Sequence, residues 1–243
     1  MRRFRRLLFW LSRTRPMGFV VRLAFGRLWW LLPVRRVAQT ARVLAFEHPA
    51  PSWQPHLLLV PKRSIRSLLA ARPADAAYLG EIVRLGFGLA VRRGLASGET
   101  GTGFALLVNG GTYQDVPQLH VHLAGLDEGL RYDTPARPTP QDATDDHLLA
   151  QHAGLMAYRH PQPQRQVHAV IWQTGWPADK PLVWRDLAGP PGEEIGRALL
   201  PLTQGLVERL NLGSDGFTLL ASVAPGGLDA PVCFHLVAGD RRA

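Results

Sequence analysis

Two histidines one residue apart, His120 and His122, lie in the run Gln118-Leu119-His120-Val121-His122. In an extended strand alternate side chains face the same way. Gln118, His120 and His122 then project from one face, while Leu119, Val121 and Leu123 turn toward a core. A neutral imidazole is a nucleophile near pH 7 and also a common metal ligand. Two of them on one sheet face, preceded by the glycine-bearing turn Asn109-Gly110-Gly111, point to phosphate chemistry or to metal binding. The metal reading takes His56, His120 and His122 as ligands.

The elements that must position these residues come in two copies. Residues 45–60 read AFEHPAPSWQPHLLLV and residues 157–172 read AYRHPQPQRQVHAVIW. Without a gap, Ala45, His48, Pro49, Pro51, Gln54 and His56 coincide with Ala157, His160, Pro161, Pro163, Gln166 and His168, an offset of 112. At an offset of 113, Glu81-Ile82-Val83-Arg84 matches Glu194-Ile195-Gly196-Arg197, Gly103-Phe104-Ala105-Leu106-Leu107 matches Gly216-Phe217-Thr218-Leu219-Leu220, and Val121-His122-Leu123 matches Phe234-His235-Leu236. A near-constant offset through four blocks argues for duplication.

Each copy predicts the same order: a Pro-rich turn, a strand, a helix and two further strands. The first strands are His56–Val60 and His168–Trp172. The helices carry apolar faces at Leu79, Ile82, Val83, Gly86 and Leu89, and at Ile195, Leu199, Leu202, Leu206 and Leu210. The paired strands fall near 103–109 and 118–124, then near 216–223 and 232–238. Helix and strands are grouped rather than alternating, which predicts an α+β fold. The polar stretch 127–150, with Pro135, Pro138 and Pro140, reads as a linker, and the second copy as 151–243.

The motifs resemble those of the histidine triad (HIT) family. There, Asn, then Gln-x-Val, precede a His-x-His-x-His run, as Asn109, Gln114-Asp115-Val116 and Gln118-Leu119-His120-Val121-His122 do here. Ala45-Phe46-Glu47-His48 and His56-Leu-Leu-Leu-Val-Pro61-Lys62 are similar to the family's earlier strand, and Phe25-Gly26-Arg27 with Pro33 to its first helix. The resemblance covers residues 25–126. It implies a HIT-like antiparallel sheet with helices, here duplicated within the chain as a pseudo-dimer, the arrangement of galactose-1-phosphate uridylyltransferases in the same superfamily.

The resemblance also implies roles. His120 is the nucleophile that attacks a nucleotide α-phosphorus and forms a covalent nucleotidyl-imidazole. His122 contacts phosphate oxygens, His56 completes the polar cluster, and Asn109, Gln114 and Val116 lie along the phosphate. No cofactor is implied. Three positions depart from the family pattern: Gln118 replaces the first triad histidine, Asp115 a Ser or Thr near the leaving group, and His48 the Asp that grips ribose, beside Pro49. An amide at Gln118 retains the capacity to orient His120. A carboxylate at Asp115 repels phosphate when ionised and serves as an acid when protonated. In the second copy Cys233 falls where His120 is and His235 where His122 is. Cys233, His160 and His168 are read as structural, His147 and His152 as solvated. Two functional readings are open: a nucleotide phosphohydrolase or nucleotidyl transferase, and a non-catalytic protein binding a phosphorylated ligand.

Charge is concentrated at the N-terminus. Residues 1–36 hold ten arginines and no acid; removing those ten from the 28 basic residues leaves 18 against 19 acidic ones. The near-neutral body argues against a nucleic-acid partner. Arg22 and Arg27 sit in the middle of the apolar stretch 18–34, at about 2.5–3.5 kcal/mol each for bilayer insertion, which argues against a spanning helix. Arginine mixed with Trp, Phe and Leu suits the anionic membrane interface, or a helix packed on the body, for an arm over 1–24. The interface reading points to a lipid-linked nucleotide such as CDP-diacylglycerol as substrate. A lone cysteine suits a reducing compartment, so the expectation is a cytoplasmic monomer, peripheral at the inner membrane face.

Overall fold

The computed structural model describes residues 34–98, 100–136, 147–174 and 181–241. The basic arm over 1–24, and the Phe25-Gly26-Arg27 and Pro33 matches, lie outside the described residues. In chain order the described elements are β1 (Arg36–Gln39), β2 (Val43–Glu47), β3 (His56–Pro61), α1 (Ala76–Arg92), β4 (Phe104–Gly110), β5 (Val121–Gly125), β6 (Leu148–His152), β7 (Leu155–Arg159), β8 (Arg165–Gln173), α2 (Pro190–Arg209), β9 (Phe217–Val223) and β10 (Cys233–Arg241).

The ten strands form one sheet in the order β1-β2-β3-β5-β4-β9-β10-β8-β7-β6, with every neighbouring pair antiparallel. The order of the second half mirrors that of the first, and the halves join at β4 and β9. That ladder runs from Phe104↔Val223 to Gly110↔Phe217, with Leu107↔Leu220 at its middle. Leu107 and Leu220 are 113 residues apart, the repeat offset itself, so a pseudo-twofold axis passes between them. The α+β class and its duplicated arrangement are therefore present in the structure.

One boundary differs from expectation. The segment 127–150 is not a featureless linker at its ends. Tyr132 is buried, and β6 begins at Leu148 as the edge strand paired to β7. β6 stands 112 residues after β1 and occupies its mirror position. The second half thus starts before residue 151, because the polar run ends in a strand that the sheet needs for its outer hairpin.

Alternation along the strands separates two faces. Val43, Ala45, Leu57, Leu59, Leu106, Val121 and Leu123 enter one continuous core with the buried faces of α1 and α2. Histidines 56 and 122 take the other face, as period-two alternation requires. Both helices lie on the core side and touch each other through glycine. A Cβ on Gly196 would come 2.6 Å from the Gly80 Cα, and one on Gly80 would come 2.6 Å from the Glu193 carbonyl oxygen. Arg84 bridges the helices to Glu193 at 2.7 Å.

This close approach makes a directional prediction. Gly196→Ala should destabilise by about 1–3 kcal/mol through overpacking, lowering Tm by roughly 2–4 °C per kcal/mol. Gly205→Ala in the same helix, where a Cβ meets nothing within 4 Å, should raise stability by up to about 1 kcal/mol from helix propensity. Thermal unfolding of the two variants checks the pair; equal shifts in both would show that the helix contact does not carry stability.

Candidate functional site

β3 and β5 are neighbours with the register His56↔Ala124 and Leu58↔His122. This pairing brings His56 and His122 together on the open face. His56 Nε2 and His122 Nδ1 are 2.9 Å apart. The β2–β3 loop fixes which nitrogen carries each proton. The Ser52 backbone N–H donates to His56 Nδ1 at 3.1 Å, and the Ala50 N–H to His48 Nδ1 at 3.1 Å. A nitrogen that accepts a hydrogen bond holds no proton when the ring is neutral. His56 therefore carries its proton on Nε2 and donates it to His122 Nδ1. His122 in turn carries its proton on Nε2. The rings of His48 and His56 stack, with centroids 4.0 Å apart and 3° between planes.

His120 sits just before β5, and here the structure corrects the sequence reading. The strand expected from 118 begins at Val121, because residues 114–119 are tied into a loop. Gln114 Nε2 donates to the carbonyls of Arg66 (2.8 Å) and Val116 (2.7 Å), the Gln118 N–H to the Val116 carbonyl, and the Leu119 N–H to the Ile65 carbonyl. Pro117 has no N–H for a ladder. The Gln118 side chain does not orient His120. Its amide turns away and donates to the Arg63 carbonyl at 3.0 Å. The backbone carbonyl of Gln118 orients His120 instead, at 2.7 Å from Nδ1. A carbonyl only accepts, so Nδ1 carries the proton and Nε2 keeps the lone pair. The ring lies edge-on to His122 at 4.9 Å.

Electrostatics keep these rings neutral. Burial lowers the pKa of His120, opposed by the Gln118 carbonyl and by the negative charge of Asp115. Burial, with the neighbouring imidazoles adding to it, sets His122 well below the usual histidine range and His56 at about 3; burial also lowers His48.

The remaining candidates are dispersed around this core. Asp115 is exposed and Val116 half-buried on the loop. His48 and Pro49 are half-buried beyond His56. Asn109 lies on β4, its Oδ1 accepting from Thr218 Oγ of the second half at 2.8 Å. Trp53, which the sequence did not single out, sets its edge against His56 (4.7 Å) and His122 (6.2 Å) and donates Nε1–H to Asp127 at 2.7 Å.

The second half repeats the cluster. The Gln164 N–H donates to His168 Nδ1 at 3.2 Å and the Gln162 N–H to His160 Nδ1 at 3.0 Å; His168 Nε2 lies 3.0 Å from His235 Nδ1. His160 stacks on His168 at 4.1 Å. His160 and His168 thus do face a third histidine, a contact hidden in the residue pattern although the repeat places His235 in register with His122. Cys233 is fully buried, and burial pushes its thiol well above the usual range, which disfavours the thiolate, the nucleophilic form. Tyr132 lies against His168 and His235 at 5.3 and 5.6 Å, and His160 donates to the Asp133 carbonyl at 2.9 Å. That segment closes the second cluster.

A metal fits the first cluster poorly. Ligand nitrogens of His48, His56 and His122 lie within 4.8 Å of one another. A ligating histidine offers one nitrogen and donates a proton from the other. Here Nδ1 of each already accepts a hydrogen bond, so loading Nε2 would turn the displaced proton against an N–H donor. His120, the third ligand in the metal reading, points its proton to the Gln118 carbonyl and is not in that group.

A model of the HIT domain matches residues 32–129. An uncharacterized HIT-like protein of Synechocystis sp. is 33% identical over 96 residues, which is 39% of this chain and 80% of the relative. Among solved structures, a GalT-like protein of Arabidopsis thaliana aligns over 90% of this chain and 82% of its own with a TM-score of 0.58 at 8% identity. An ADP-glucose phosphorylase of the same plant, solved with ADP-glucose bound, aligns over the same shares with a TM-score of 0.58 at 9% identity. Both share the fold over both halves. Among the described residues no helix is long and apolar enough to cross a membrane.

The neutral clusters predict acid lability. His168 and His235 fall from about 6.5 to about 3 through burial. Unfolded, these rings take up protons as pH falls below about 6.5; folded, they do so only near 3. Stability is therefore full above that window and is lost as pH falls through it, by on the order of 2 kcal/mol per ring at pH 5. Denaturant midpoints between pH 7 and 4.5 should fall in the wild type and fall less in a His168→Leu/His235→Leu variant. Parallel profiles would remove these rings as the cause.

Proposed function

This chain belongs to the HIT family, and we propose that it cleaves a phosphoanhydride or phosphoramidate at a nucleotide α-phosphate through His120. The observation that carries the reading is the His120 tautomer. Its Nδ1–H is held by the Gln118 carbonyl, which leaves the Nε2 lone pair for attack, and its lowered pKa keeps that lone pair available at neutral pH.

In the first step Nε2 forms a bond to the α-phosphorus. The bond from phosphorus to the leaving oxygen or nitrogen breaks, and the leaving atom keeps the electron pair and takes up a proton from solvent. The Gln118 carbonyl, accepting from Nδ1–H, stabilises the positive charge that develops on the ring. His122, with its proton on Nε2, is a neutral donor suited to a phosphate oxygen. In the second step water or another acceptor attacks phosphorus and gives up a proton to solvent, the N–P bond breaks, and its electron pair returns to Nε2. The chain that fixes this arrangement runs from the Ser52 N–H through His56 to His122, so the donor is preorganised before substrate arrives.

A nucleotide or nucleotide-linked molecule is the substrate class that suits this chemistry. The ADP-glucose held by the plant phosphorylase and the lipid-linked nucleotide suggested by the basic arm both belong on the test panel. The second reading, a phosphorylated-ligand binder without turnover, draws on Asp115, whose negative charge is felt at His120 and opposes an incoming phosphate when ionised.

Turnover of adenosine 5′-phosphoramidate, a dinucleoside polyphosphate, ADP-glucose and CDP-diacylglycerol should be measured for wild type and His120→Ala. The variant is expected to lose at least ~10³-fold in kcat, as nucleophile removal does in other covalent catalysts, and to form no nucleotidyl adduct in intact-mass spectra. Because the His120 pKa is lowered, wild-type activity should persist below pH 6.5 before it declines. Ligand binding without turnover or adduct would leave the binding reading in its place.

A further inference from the structure

A cleft of about 450 Å³ opens on the sheet face that bears the histidines, astride the pseudo-twofold axis. Its floor includes Leu107 and Leu220, the pair on that axis. Leu107 is also paired to His122 on its other side, so the floor adjoins the histidine cluster one strand away. Trp53 is a shared wall. It borders the cleft and sets its ring edge against His56 and His122. Asn109 and Thr218, bonded to each other, also line it.

The far wall comes from the segment that closes the second cluster. Tyr132 of that segment is joined there by Arg165, at the start of β8, whose Nε donates to the Tyr132 hydroxyl at 2.9 Å. A second guanidinium nitrogen donates to the Gly239 carbonyl at 3.4 Å. Both acceptors are neutral, and among the described residues Arg165 has no carboxylate within ion-pair distance; Asp240 lies at the exposed rim without pairing to it. A half-buried guanidinium held only by neutral acceptors is oriented without being neutralised, which is the condition for binding an anion. From Trp53 to Tyr132 the cleft crosses the strands β4 and β9, on the order of 10 Å at the usual strand spacing.

We propose that this cleft receives the leaving group of the reaction at His120, and that it selects leaving groups on the order of 10 Å long that end in an anion, bound by Arg165. Trp53 and Tyr132 contact the body of that group, and Asn109 and Thr218 offer it hydrogen bonds. The second half of the chain has lost its own nucleophile position to Cys233 and supplies Arg165 and Thr218 as specificity residues for the first. The proposal rests on attack by His120: the bond from phosphorus to the leaving nitrogen or oxygen breaks, and the departing group, with its electron pair and one proton, exits through the cleft.

The test uses adenosine 5′-phosphoramidate, whose leaving group is ammonia, beside three phosphoramidates whose leaving amine is an arylethyl chain ending in phosphate, carboxylate or methyl. In wild type the kcat/KM for an anionic terminus should exceed that for methyl by about 10-fold or more, as a charge-assisted hydrogen bond provides. The phosphate and carboxylate arms identify which anion is preferred. Arg165→Gln should collapse that ratio and Arg165→Lys should restore part of it, with the methyl substrate as the internal reference in each variant. Turnover of the ammonia substrate with no anionic preference in wild type, or a ratio unmoved by Arg165→Gln, would overturn the subsite while the role of His120 stands. Absence of turnover of all four by the wild type would overturn both.

Discussion

The β4–β9 ladder is the constraint on which the molecule depends. Each half presents an inner strand that would otherwise be an open edge, with a row of unsatisfied N–H and C=O groups. Pairing the two converts ten strands into one sheet, lays α1 and α2 side by side on one face, and sets two histidine clusters on the other. The glycines Gly80 and Gly196 answer to the same constraint. Once the strands are in register the helices have only a narrow gap to share, and residues without side chains fill it. The cleft is also a product of this join, since its floor is made from both partners of the ladder.

Much of this was legible in the residues. The offset of 112 and 113 fixed the duplication, because a strand-helix-strand unit repeated at constant spacing has few ways to bury its apolar faces. Alternation in Val121-His122-Leu123 gave the face that His122 takes in β5. The loop before β5 was not legible. It depends on a proline without an N–H, and on Gln114 and Gln118 reaching carbonyls of Arg63 and Arg66 some fifty residues away in sequence. Nor do residue types reveal which imidazole nitrogen holds a proton. That information lies in the backbone N–H groups of Ala50 and Ser52, which any residue but proline supplies. Trp53, Tyr132 and Arg165 were silent for a similar reason: their contacts join segments far apart in sequence.

The two clusters make an internal comparison. Both keep the stacked pair, the N–H donors into Nδ1 and the short contact to the third histidine. They differ beside that third ring. In the first, His120 stands there with an open lone pair. In the second, the position is Cys233, and the proton on His235 Nε2 is buried with no acceptor among the described residues. An unsatisfied buried donor is destabilising.

Covalent linkage of the halves has an evolutionary corollary. In a symmetric homodimer every substitution appears twice, so a change that improves a wall of one site alters the same wall, or the nucleophile, of the other. Here Leu107 and Leu220 meet across an axis that relates unlike sequences. A mutation at position 165 or 233 occurs once per molecule. One half can change without the other following, and the stoichiometry this leaves is one proposed nucleophile for each ten-stranded sheet.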